Sequence, residues 1–415
     1  MIATDVCIIG AGPAGAAAAL QLQQLHIPCI VVDKAVFPRD KICGDGLSGK
    51  VLTALNRIDK SIGERLCQLV QKEDSWGVTF TAPSGDSLDI AYQPDYNPQA
   101  KIGIPAGFVC KRINFDNFLV TEMKRCQDVQ VFEGQSIDTF TLQEDGYLLT
   151  DAAGTFAVKA KLVIVANGAH SAFTKEVAGI HMEPQHYCAG IRAYYKGVTG
   201  LHADGFIELH FLRSLLPGYF WIFPLPNGEA NVGISILSSV VRKRKLNLKK
   251  TLQEIVTNDP VMKERFKNAT LASGIEGYGL PLGSKKRILS GDRYMLTGDA
   301  AYLIDPFTGE GIGNALYSGR MAAQQAAACL KANDFSGTFM KKYDDEVYRV
   351  LGTELGLSTK IQRLANRTWL FNFLMKTAMR NKQLRELMSC MFYEIDLRKK
   401  LTRPSFYVKL LLNRA

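Results

Sequence analysis

Along the first third of the chain, apolar positions come as short unbroken runs bounded by glycine. Asp5 to Gly10, DVCIIG, reads as a strand buried on both faces, as in a parallel sheet. A helix of small residues is predicted from Pro13 to about Leu25, with proline at its first position. Cys29 to Val32 repeats the buried-strand pattern and ends at Asp33. Much later, RYMLTGDAAYLIDPFTGEGIGNALYSGR predicts a strand to Thr297, a turn at Gly298 and Asp299, and a helix opened by the Pro306, Gly309, Gly311 and Asn314 run.

Between the first strand and helix lies GAGPAG, with Gly10, Gly12 and Gly15 in the GxGxxG spacing around Pro13 and Ala14. Strand, glycine turn and helix in that order make a dinucleotide site. Gly10 allows the tight turn, Gly12 the approach of a pyrophosphate, and Gly15 the contact of helix with strand. The pyrophosphate then meets free N–H groups at the helix N-terminus. Asp33, followed by Lys34, falls where a carboxylate meets a ribose 2′-hydroxyl. Asp299 at the later strand end can accept bonds from a polyol, and Gly309, Gly311 and Ile312 can aim N–H donors at a developing anion.

A chain of 415 residues holds two or three packed units. No basic leader precedes the first strand and no long charge-free span follows, so neither secretion nor membrane spanning is expected. The 9 cysteines, an odd number without a CxxC pair, suit a reducing cytoplasm and give no metal site.

The net charge of +10 resides in Lys360 to Ala415, where 13 Lys/Arg face only Glu386, Glu394 and Asp396. Trp369, Phe371, Phe373, Phe392, Phe406, Tyr407 and Leu410 to Leu412 are interleaved with them. Two readings fit: helix core with a solvated charged face, or an anionic membrane surface rather than nucleic acid.

The stretch FPRDKICGDGLSGKV, Phe37 to Val51, sets Cys43 beside Arg39 and Lys41 and against Gly44 and Gly46. Cations lower a thiol pKa, which makes Cys43 a candidate reactive thiol; a buried free cysteine is the alternative.

Gly298-Asp299 with its PxxGxG run, GAGPAG with Asp33, and Arg112 in KRINFDNFL resemble the p-hydroxybenzoate hydroxylase-like flavoprotein superfamily over most of residues 1–335. VIVANGAHS, Val163 to Ser171, sits at the family's Asp-Gly motif, with Asn167 in place of Asp before Gly168, and Thr174 where arginine is usual. Within that superfamily, Lys41-Ile42-Cys43-Gly44-Asp45-Gly46-Leu47 resembles the CGxGL run of the geranylgeranyl reductase family. Its YxWxFP…ANVG hairpin pattern is matched by Tyr219, Trp221, Phe223, Pro224 and Ala230 to Gly233. Flavin halogenases share part of this strand but carry tryptophan and isoleucine where Tyr219 and Phe223 stand.

The resemblance implies an α/β fold: a Rossmann-like FAD-binding domain of the glutathione reductase type 2 class, an inserted antiparallel substrate sheet and a C-terminal helical region. The expected division is 1–75, 101–180 and 286–335 for FAD, 76–100 and 181–285 for substrate, and 336–415 for the basic helices. Strands over Ala189 to Gly197, Gly205 to Phe211 and Tyr219 to Leu237 build the substrate sheet. Val241 to Lys250 reads as a solvated connection or a helix start.

It further implies non-covalent FAD, reduced by NAD(P)H or a ferredoxin-like carrier, and reduction of carbon–carbon double bonds in an isoprenoid. Lys41, Cys43 and Gly46 are the expected catalytic group, Cys43 as acid or as pocket residue. Arg39, Cys43, Gly44, Arg112, Asn167 and Gly168 join the flavin contacts. Tyr219, Trp221 and Phe223 form either an apolar substrate wall or plain sheet core. The protein is expected in the cytoplasm, peripheral on the inner membrane surface. A monooxygenase and a non-catalytic lipid-binding flavoprotein are the rival readings.

Overall fold

The computed structural model of the chain describes residues 1–93, 96–97, 105–381 and 385. The distal basic segment, with Cys390, Phe392, Phe406, Tyr407 and Leu410 to Leu412, lies outside the described residues, as do 94–95 and 98–104.

Val6 to Ile9 are buried on both faces of a strand, Ile2–Ile9, at the centre of an 8-stranded sheet. It pairs in parallel with Cys29–Asp33 on one side and Ala157–Val165 on the other. Val129–Glu133 and Tyr294–Leu296 extend the parallel part. The helix Pro13–Gln24 starts on its proline, and its alanine-rich surface meets the long helix Ile312–Ala332. A Cβ on Gly319 would lie 2.0 Å from the Ala14 carbonyl oxygen, so glycine there sets how closely the two helices pack.

The second sheet, also 8-stranded, is mostly antiparallel. Its centre is the trio Tyr187–Lys196, Glu229–Leu237 and Tyr219–Leu225, continued by Ile207–His210, Gly77–Thr81 and Ser87–Ala91. The run Tyr219 to Leu237 forms the two strands of the expected hairpin, turned where Asn227 and Gly228 take left-handed conformations. The basic stretch 241–250 spans the end of one helix, Ser238–Arg244, and the start of another, Leu248–Asn258. A small third sheet pairs Gly46–Leu47 with Gly107–Val109, pinning the cysteine turn between the two larger sheets.

From Gly337 the chain is helical, Gly337–Ala365 and then Thr368–Arg380. Among the described residues no helix is long and apolar enough to cross a membrane.

Candidate functional site

The first strand ends in a cradle that its own backbone fills. A Cβ on Gly10, at φ +106°, would meet the Ala166 carbonyl oxygen at 2.5 Å, and one on Gly15 would meet the Gly10 oxygen at 1.8 Å. Gly12 differs: a Cβ there would approach only Arg39 Nη2, at 4.0 Å, which leaves room for a ligand over the helix N-terminus. Asp33 braces this turn, its Oδ2 accepting from the Ala11 amide at 2.7 Å.

The opposite wall comes from the second glycine turn. Gly298 and Gly309 hold φ values of +56° and +74°. Tyr219 donates its hydroxyl to the Thr308 carbonyl at 2.8 Å, and Glu310 accepts from the Gly313 amide at 2.7 Å, ordering the start of the helix. Across the cradle, Lys41 pairs with Asp299 at 3.1 Å. Asn167 Oδ1 is buried and has no hydrogen-bond partner among the described residues.

Both turns open into one cleft of about 1430 Å³ including its mouth. Its lining joins Gly12, Pro13, Ala14, Gly168, Asp299 and Gly309 to Ile312 with Lys41 through Ser48, Arg112 and the rings of Tyr219, Trp221 and Phe223. The strand alternation expected for a substrate wall does place these rings together: Trp221 lies 6.1 Å from Tyr219 and 6.2 Å from Phe223 between ring centres. Phe223 also explains both glycines of the cysteine turn, since a Cβ on Gly44 or Gly46 would sit 3.3 Å or 3.2 Å from its ring.

Charge below the turn is organised by Asp116, fully buried in the helix Arg112–Lys124. It accepts two bonds from Arg112, at 2.7 and 2.8 Å, and pairs with Arg39. Burial resists its ionisation, but the Arg112 charge prevails and holds the carboxyl below its ordinary range. The Arg112 charge also acts on Cys43, opposing the effect of burial on the thiol.

Of the two readings of Cys43, the low-pKa thiol is the one its surroundings disfavour. Burial pushes the thiol up, and the opposing pull of Arg112, the Asp45 amide and Lys41 does not offset it. Spacing identified the neighbouring cations; it could not reveal the depth at which they act.

Of the other expected residues, Lys34 is exposed beyond the cleft, and Pro306 stands behind the wall with its carbonyl accepting from Gln362 at 2.5 Å. Asp45 and Arg192 line the cleft, with Tyr194 and Asn231 as the partners of Asp45, and sequence reasoning passed over all four. Asp45 is wholly buried, and its Oδ2 accepts from Tyr194 Oη and Asn231 Nδ2, each at 2.8 Å. Asn231 accepts in turn from Trp221 Nε1 at 2.9 Å and donates to the Cys43 carbonyl at 2.8 Å. Both Asp45 and Asn231 stand inside the quoted motifs, which was the available signal.

Residues 3–350 match the family described as FAD binding domain. The chain is 31% identical over 348 residues to a Thermoplasma volcanium protein named digeranylgeranylglycerophospholipid reductase, covering 82% of each. It is 29% identical over 329 residues to a Mycobacterium tuberculosis protein named menaquinone reductase, covering 77% of this chain and 76% of that one. Among solved structures, a geranylgeranyl bacteriochlorophyll reductase-like protein of Thermoplasma acidophilum superposes with a TM-score of 0.78 at 23% identity, over 97% of this chain and 99% of that one.

Proposed function

The chain belongs to the geranylgeranyl reductase family of FAD-dependent oxidoreductases, and from that premise we propose that it saturates carbon–carbon double bonds in the prenyl chain of a lipid. A prenyl quinone or a geranylgeranyl lipid is the substrate class. The observation that carries this reading is the continuity of the cleft, in which the nucleotide cradle and the Tyr219–Trp221–Phe223 wall share one space with Cys43. An apolar wall with few polar handles suits a polyprenyl chain.

The cofactor is FAD, and the residues present fit it. The space beside Gly12 would admit the pyrophosphate, Asp33 would meet the ribose, and the unpartnered Asn167 Oδ1 would find a donor. Asp299 and the Gly309 to Ile312 turn would face the rest of the cofactor. When bound, FAD supplies the hydride for such a reduction, and the proton must come from the protein or solvent.

Cys43 is suited to hold that proton. Its raised pKa keeps Sγ protonated, as an acid requires. Once the proton leaves, the Arg112 guanidinium and the Asp45 N–H are in place to stabilise the thiolate. NAD(P)H or a ferredoxin-like carrier is the electron source.

The lipid reaches the cleft from the anionic inner surface of the membrane. Helix Thr368–Arg380 supports this, with Trp369 69% and Phe373 61% exposed beside Lys376 and Arg380. Its other face buries Phe371 and Met375 in the same apolar cluster as Tyr219 and Trp221.

The test is anaerobic: the bound flavin is photoreduced, prenyl quinones and geranylgeranyl lipids are added, and flavin absorbance is followed with mass analysis of the lipid. Flavin reoxidation with a two-hydrogen gain in the prenyl chain is expected. Reoxidation by oxygen alone, with a hydroxylated product, would replace the reductase with a monooxygenase.

A further inference from the structure

The Asp45 carboxylate lies at the crossing point of the two halves of the cleft. Its backbone sits at φ +67°, a conformation that Asp and Asn tolerate better than most side chains. Its own carbonyl accepts from the Cys110 amide at 2.9 Å, so the turn carrying Cys43 is fastened to the strand Gly107–Val109 and its continuation. The side chain reaches the other way, into the second sheet. Tyr194 and Asn231 both donate to Oδ2, and the Arg112 amide donates to Oδ1 at 3.3 Å.

All three of these neighbours donate to the carboxylate, which matches its ionised form; only the Tyr194 hydroxyl could turn to accept a carboxyl proton, whereas the Asn231 and Arg112 N–H groups could not. Asn231 is equally committed: its two N–H bonds go to Asp45 and to the Cys43 carbonyl, and its oxygen takes the Trp221 indole. Protonating Asp45 on Oδ2 reverses the Tyr194 bond or displaces Asn231. Displacing Asn231 disturbs the Cys43 turn and the aromatic wall together.

We propose that Asp45 is the positioning residue of the cleft: its carboxylate, shared by Tyr194 and Asn231, locks the Cys43 turn to the Trp221 wall, so that loss of its charge, two residues from Cys43 and bonded through Asn231 to the Cys43 carbonyl, changes the reactivity of Cys43 Sγ. Only the consequence for turnover rests on the reductase reading; the relation between the two side chains is measurable without substrate.

The surroundings make this charge titratable near neutrality. Burial pushes the Asp45 carboxyl up to about 6 despite the bonds from Tyr194 and Asn231 and the nearby Arg192 charge, with Asp40 acting in the same direction as burial. The other charged groups at hand are Arg112, paired with Asp116, and Lys111, paired with Glu229 and lying 4.5 Å over the Tyr194 ring. The thiols facing Asp45 are Cys43 and Cys110, both pushed up by burial first and by its charge in addition.

The test is the rate of Cys43 alkylation by iodoacetamide in the FAD-loaded protein, resolved by peptide mass analysis across pH 5 to 9. In the wild type, the fall in rate on acidification flattens near pH 6, where Asp45 loses its charge and the thiolate becomes easier to form. Asp45→Asn removes the flattening and raises the rate at neutral pH by about tenfold, because the carboxylate charge that opposes thiolate formation is gone. Tyr194→Phe, which removes one bond to the carboxylate, moves the break to higher pH. An Asp45→Asn profile that superimposes on the wild type, a break unmoved by Tyr194→Phe, or a Cys43 inert in all three proteins would each overturn the proposal. A negative lipid assay would leave it standing, and its failure would leave the lipid assay untouched.

Discussion

The Tyr219 hydroxyl, which donates to the Thr308 carbonyl, lies 2.6 Å from the position a Cβ on Gly309 would occupy. The aromatic strand and the second glycine turn are thus fitted to each other at one atom. Gly309→Ala carries two penalties, a clash with Tyr219 and a left-handed φ of +74° that costs a side chain about 1–2 kcal/mol. The variant is expected to bind FAD weakly. Adding Tyr219→Phe relieves the clash and leaves the backbone cost, so FAD titration should show partial rescue; no rescue would mean that the contact does not shape the turn.

Asp116 bridges Arg112 and Arg39 at a site where neither the aspartate nor Arg112 reaches solvent to any extent. Asp116→Asn strands a buried guanidinium, and stability should fall by about 3–5 kcal/mol in denaturant unfolding of the FAD-loaded protein. Replacing Lys124, whose pair with Glu133 is half exposed, should cost well under ~1 kcal/mol and serves as the control.

Asp45 gives a pH signature of unusual sign. Its folded pKa of about 6 lies above the unfolded value of about 3.9, so between those pH values the folded state holds the proton and the unfolded state does not. Its contribution to stability therefore falls as pH rises from about 4 to about 6 and is constant above, by ~3 kcal/mol in all. Asp45→Asn lacks this term. Relative to the wild type, the variant should gain stability across that window, which paired unfolding curves at several pH values would measure; parallel curves would refute it.

Cys43→Ser should keep its FAD spectrum, because the thiol touches the turn rather than fixing it. A serine hydroxyl is a far weaker acid, and turnover should drop by about a hundredfold or more if Sγ supplies the proton. Single-turnover reoxidation of the photoreduced flavin by a prenyl lipid separates this from slow flavin reduction, and an unchanged rate would leave Cys43 as a pocket residue only.

The nucleotide half was legible because its signals are local. Strand, glycine turn, proline-led helix and Asp33 occupy consecutive stretches, and Gly15 answers a contact with Gly10 five residues away, although Gly10 itself answers the distant Ala166. Even the Arg112–Asp116 pair is readable in KRINFDNFL, four residues apart on a helix. The Asp45–Asn231 bond spans 186 residues and joins two sheets, so no spacing announces it. The sign of the Cys43 shift was lost for a related reason. Flanking cations are visible in sequence, whereas the burial that outweighs them is a property of the packed cleft.

The exposed face of helix Thr368–Arg380 makes a claim that vesicles can test. Trp369 and Phe373, four residues apart, share the outer face, whereas Phe371, Met375 and Ala378 pack inward. Substituting serine at both outer positions therefore removes apolar contact area without opening the core, and the FAD spectrum and unfolding midpoint should hold. Binding to vesicles containing anionic lipid should weaken by about tenfold or more, since each ring contributes well over 1 kcal/mol of burial. Reversing Lys376 and Arg380 to glutamate should weaken binding chiefly at low salt, where the charges are least screened. Equal co-sedimentation of wild type and double-serine variant would exclude this helix from lipid capture, and the route of the prenyl chain to the Tyr219–Trp221–Phe223 wall would have to open elsewhere on the cleft.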